Sequence, residues 1–164
     1  MREPNPGLAL YSFVAISVFF ALLVAVFPVA RDYSLLRPEL VCLVILYWVM
    51  YAPEHVGVSV AFFTGWLQDA VEGSIWGAHA LALSILAYIG LVSYQRIRNY
   101  SVWHQALWVV VLVGSHQVLV NWVQGLAGYQ SPVAYMLVPT IISALCWPLV
   151  CYVLNHLRNY YRLL

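Results

Sequence analysis

The sequence predicts an all-α fold, a polytopic membrane bundle of about six helices. Composition is the first reason. Of the 164 residues, 64% are hydrophobic and 8% charged, whereas about a quarter of a soluble domain is charged, and mean hydropathy is +0.85. Patterning is the second. Apolar runs follow one another from end to end, broken by short clusters of Pro, Gly and charged residues, without the ten-residue alternation expected of a barrel. The polar connections are too short to hold a soluble domain, so residues 1–164 read as one membrane domain.

The first run, 8–28, is longer than the roughly 7–15 residue core of a signal peptide and lacks a good small-x-small cleavage site, so it reads as an uncleaved span. Pro28, Asp32 and Arg37-Pro38 divide it from a second span, 39–53, closed by Pro53-Glu54-His55. That second span is short and draws on Glu39 or the following turn to reach across. The third, 56–76, passes through Asp69 toward Gly77, and the fourth, 78–95, stops at Gln95-Arg96-Ile97-Arg98-Asn99. A fifth, 102–126, ends ahead of Gly128-Tyr129-Gln130-Ser131-Pro132, and a sixth covers 133–156. Pro139 and Pro148 should kink the sixth, with Trp147 filling the space such a kink opens.

All seven basic residues are Arg. With six spans, Arg2, Arg96, Arg98, Arg158 and Arg162 share one side and Arg31 and Arg37 the other, so the larger set, and both termini, belong in the cytoplasm. Trp and Tyr near the turns, such as Trp48, Tyr51, Tyr94 and Trp103, suit interfacial anchoring. A net charge of +1 without a polybasic cluster excludes a nucleic-acid partner.

Polar residues inside the spans carry the functional reading. Gly65, Asp69, Gly73 and Gly77 recur every four residues. On one helix this spacing makes a shallow groove of small residues, open to another backbone, with a carboxylate set into it. A charge in the bilayer costs about 2.5–3.5 kcal/mol on insertion scales, so Asp69 is expected only where protein, water or a partner compensates it. Glu72 stands three residues on, and two carboxylates so close cannot both ionise cheaply in a low dielectric. In the fifth span Gln117, Asn121 and Gln124 form a polar stripe facing the bundle interior, read as interhelical glue ahead of a ligand cavity.

No cofactor or metal is expected. Cys42, Cys146 and Cys151 lie in apolar runs with no CxxC pair, and His116 has no second His or carboxylate at metal spacing in its own segment. There is no GxSxG, HExxH, Ser-Lys pair or phosphate loop, and no Lys at all, so a non-enzymatic role is expected.

Three blocks resemble one family. Arg37-Pro38-Glu39-Leu40 leads to Leu46-Tyr47-Trp48; then come Ala52-Pro53-Glu54-His55-Val56-Gly57 and the stretch from Gly65-Trp66-Leu67-Gln68-Asp69 to Ser74-Ile75-Trp76-Gly77. Their order and spacing are similar to those of the rod shape-determining membrane protein family MreD, gammaproteobacterial type. Leu81 to Tyr88, Arg98-Asn99, Trp103 to Leu107 and Trp147-Pro148 extend the likeness, while Ser143-Ala144 stand where members often carry Asn-Gly. Arg37, Pro38, Trp147 and Pro148 are therefore read as structural.

The resemblance implies a non-enzymatic scaffold in the cell inner membrane. It would bind the single transmembrane helix of MreC and, through it, act with the RodA glycosyltransferase, its transpeptidase partner and MreB filaments in peptidoglycan side-wall synthesis and cell shape. Membrane lipid is a further expected partner, and a homo-oligomer is left open. The family's bundle is also said to be similar to the substrate-binding subunits of energy-coupling-factor vitamin transporters. That likeness implies an alternative, a small-molecule or lipid binder whose pocket uses the fifth-span stripe.

Overall fold

The computed structural model describes residues 6–27, 36–129 and 132–160. Six helices account for the regular structure among them: α1 (Pro6–Val26), α2 (Leu40–Tyr51), α3 (Val58–Glu72), α4 (Ala78–Ile97), α5 (Val102–Leu126) and α6 (Ala134–Tyr160). α1, α4, α5 and α6 are long and apolar enough to cross a membrane. Their exposed faces carry Phe19, Phe20, Val92, Leu107, Val111, Leu145 and Leu149, an exterior suited to acyl chains.

α2 is the hub. Its sequence, LVCLVILYWVMY, is apolar all round, and such a helix belongs where every face is covered. Val41 through Met50 are all buried. Contacts from α1, α4, α5 and α6 surround it. Lipid is as apolar as these side chains, so close packing and interhelical hydrogen bonds, not exclusion from water, hold the hub. Trp48 Nε1 donates to Ser17 Oγ of α1 (2.9 Å) and Tyr47 Oη to Asn155 Oδ1 of α6 (2.8 Å), while Arg158 stacks over the Tyr51 ring at 4.9 Å. Each such hydrogen bond contributes about 0.6 kcal/mol in a membrane bundle.

α6 runs without a break through Pro139 and Pro148. Trp147 is fully buried beside Pro148 and its Nε1 donates to Gln105 Oε1 of α5 (3.2 Å), tying the two helices.

The four-residue glycine ladder does not lie on one helix. α3 ends at Glu72; Gly73 follows in the left-handed region (φ 65°) and Gly77, also left-handed (φ 97°), caps the start of α4. The expected span 56–76 is therefore a 15-residue helix followed by a tight turn. Only Gly65 remains a packing glycine. A Cβ there would come within 2.5 Å of the His79 carbonyl oxygen and 2.6 Å of Ala80 Cα, so α4 already occupies the groove. A partner helix has no room at that point, and nothing lies within 4 Å of the Cβ position at Gly73 or Gly77.

Candidate functional site

Asp69 is fully buried at the C-terminal end of α3, one turn from the helix end, not midway along a span. Its carboxylate reaches across to the open N-terminus of α4, where the first amides have no helical partner. Gly77 N–H donates to Oδ2 (2.8 Å), His79 N–H to Oδ1 (3.0 Å), and Ala80 N–H approaches Oδ2 at 3.4 Å. Ser74 Oγ adds a bond to Oδ1 (2.6 Å) and His79 Nδ1 another (2.8 Å). The positive end of the α4 dipole favours an anion at this point. Asp69 thus caps α4 from another helix and closes the α3–α4 turn.

Ser74, His79 and Asp69 are the residue types of a hydrolase triad, but the geometry is a different one. In a triad the serine meets Nε2 while the acid holds Nδ1. Here Ser74 Oγ lies 3.2 Å from Nδ1, the nitrogen that also faces Asp69, and its proton goes to the carboxylate. The hydroxyl is engaged as a donor to Asp69, and His79 Nε2 faces Glu72 instead of Ser74.

A second polar cluster sits beside this cap, gathered from five helices. Glu39 precedes α2; its N–H donates to Ser143 Oγ of α6 (2.8 Å), and its Oε1 accepts from Gln117 Nε2 of α5 (2.7 Å). Cys42, one turn into α2, and His116, next to Gln117, are both buried. The donor atoms of Glu39, Cys42 and His116 all lie within 4.8 Å of one another. The His116 ring stands 5.7 Å from that of His79, whose Nε2 faces Glu72 Oε2 at 3.8 Å. Gln68 donates through Nε2 to Glu72 Oε1 (2.9 Å). A polar cleft of about 90 Å³ opens onto this cluster, lined by Arg37, Glu39, Gln68 and Glu72 with Val24 and Val41. Arg37 is held at its rim by a bond from Nη2 to the Val24 carbonyl (2.6 Å), and Pro38 adjoins it.

The fifth-span stripe divides. Gln117 is buried and points at Glu39, Asn121 donates back to the Gln117 carbonyl (3.2 Å), and Gln124 is half-buried near the end of α5. Sequence reading missed the convergence of Glu39, Gln68, His79 and His116. Their spacing along the chain is irregular, and His116 finds its carboxylate and thiol on α2, not in its own segment. The available signal was the number of polar side chains placed within otherwise apolar runs.

These features define a class: a multi-helix membrane protein whose buried polar residues cap and join helices. The chain matches the family model for rod shape-determining protein MreD over residues 1–157. It belongs to the MreD family of rod shape-determining proteins. Rod shape-determining protein MreD of Haemophilus influenzae is 32% identical over 150 residues, covering 89% of each chain. No solved structure matches the chain.

Proposed function

We propose that this chain is a non-enzymatic scaffold of the inner membrane that binds the transmembrane helix of MreC and so helps organise side-wall peptidoglycan synthesis by RodA, its transpeptidase partner and MreB. The family match along nearly the whole chain carries this reading. The polar residues support it, because the triad-like Ser74–His79–Asp69 group serves as a helix cap.

The partner's helix needs a face other than Gly65. A long apolar groove between α1 and α3, about 510 Å³ and lined by Val14, Val18, Phe19, Val60, Phe63 and Leu67 among others, is the face we assign to it. Helix association in lipid depends on such shape matching more than on apolarity alone.

Depletion from a rod-shaped bacterium should give rounded, widening cells. In a cysteine-free background, cysteines at Phe19 and Phe63 should crosslink to a cysteine in the MreC helix, while one at Leu145 on the far face of α6 should not. A growth defect rescued by a supplied nutrient, with cell shape intact, would overturn the assignment in favour of a vitamin binder. The fifth-span amides speak against that alternative, since Gln117 and Asn121 bond within the bundle.

A further inference from the structure

We propose that Glu39, Cys42 and His116 form a binding site for a divalent transition metal of the zinc class. Two independent observations converge on it. The first is the donor set: a carboxylate, a thiol and an imidazole from α2 and α5, with ligand atoms within 4.8 Å of one another. Zinc bonds of about 2.0–2.3 Å place tetrahedral donors roughly 3.4–3.6 Å apart, so the donor atoms need to draw together by only about an ångström. The second is His116 itself. It is 1% exposed, and neither ring nitrogen has a hydrogen-bond partner among the described residues. An imidazole buried in that way is costly, and a metal bond relieves one nitrogen.

Charge and ligand chemistry narrow the ion. With the Cys42 thiol ionised on binding, its proton leaving to water through the cleft, thiolate and Glu39 carboxylate together neutralise a divalent ion. The occupied site is then uncharged overall, which suits a low-dielectric interior. Thiolate and imidazole select zinc-like ions over magnesium and calcium, which prefer oxygen. Gln117 Nε2, bonded to Glu39 Oε1 at 2.7 Å, orients the carboxylate as an outer-shell partner does in known sites. The polar cleft is lined by Glu39 and gives an ion a path to that ligand.

The test uses full-length protein purified in detergent through a histidine-free tag and titrated with Co2+. One equivalent should bind with a near-ultraviolet thiolate-to-cobalt charge-transfer band, displaced by Zn2+. Cys42→Ser should abolish the band, His116→Ala and Glu39→Gln should each weaken Co2+ binding at least tenfold, and Gln117→Ala should weaken it about tenfold through the outer shell. Cys146→Ser and Cys151→Ser should leave the band in place. A parent protein without the band, or a band that survives Cys42→Ser, overturns the proposal. Should Cys42→Ser fail to accumulate, His116→Gln decides: it keeps most of the buried volume, and full Co2+ affinity in it sinks the site.

Discussion

The Asp69 carboxylate accepts from two backbone amides at 3.0 Å or less, from one hydroxyl and from one imidazole. Asparagine there keeps the shape but turns one acceptor into an N–H2 that faces other donors. Bonds to a charged acceptor contribute about 1.5–3 kcal/mol each, so Asp69→Asn should destabilise by roughly 3 kcal/mol, as for a broken buried pair. Thermal unfolding in detergent should show it as a lower midpoint, with less protein in the membrane. An Asn variant as stable as the parent would mean that the cap does not anchor α4. The sequence singled out Asp69 as the exceptional acid because it stands deeper in its apolar run than Glu72. Its role was hidden, since its acceptor sites are filled by Ser74, Gly77 and His79, and a turn had to fold before they met. His116 was opaque for the same reason, its neighbours being on α2 and α4.

Among the elements, the α3–α4 hairpin separates two kinds of glycine that look alike in sequence. Gly73 needs a left-handed backbone with open space around it, whereas Gly65 needs the absence of a side chain. Gly73→Ala should therefore cost about 1 kcal/mol, the left-handed penalty of a Cβ. Gly65→Ala must push the His79 carbonyl away and lift α4 from α3, roughly 3 kcal/mol or more. Unfolding midpoints of the two variants should fall in that order, and a reversed order would mean that α3 and α4 do not cross at Gly65. The helices themselves were legible, because Pro, Gly and charged clusters bound each apolar run. The end of α3 was not. Ser74, Ile75 and Trp76 are not helix breakers, and glycines every four residues mimic a close-packing face. What ends the helix is Gly73 in the left-handed region, where the N–H groups of Gly73 and Ser74 close on the Asp69 carbonyl. The reach of the Asp69 side chain to the amides of α4 then fixes the turn, a tertiary feature that local periodicity does not carry.

At the scale of the whole molecule, the described arginines separate two ends, with Arg98 and Arg158 at one and Arg37 at the other. Arg98 lines a polar pocket with Tyr51, Glu54 and Asn99, and Arg158 lies over Tyr51, so the tip of the α2–α3 hairpin and the ends of α4 and α6 share one end. Arg37 lies at the opposite end with Val24 and Glu72. α2, with 12 residues, is only about 18 Å long, short of the roughly 30 Å hydrocarbon core. It is enclosed by protein, so its ends need not meet headgroups themselves. The hairpin also enters and leaves from one side whatever its depth, so sidedness rests on the four long helices alone. By the positive-inside rule we propose that Arg98 and Arg158 face the cytoplasm and the Glu39 cleft the outer side. Reporter fusions after Tyr100 should behave as cytoplasmic and those after Tyr129 as periplasmic. In a cysteine-free background, a cysteine at Glu54 should escape a membrane-impermeant maleimide in intact cells, while one at Glu72 should react. Labelling of Glu54→Cys and protection of Glu72→Cys would invert the molecule, and with it the compartment from which Glu39, Cys42 and His116 are reached.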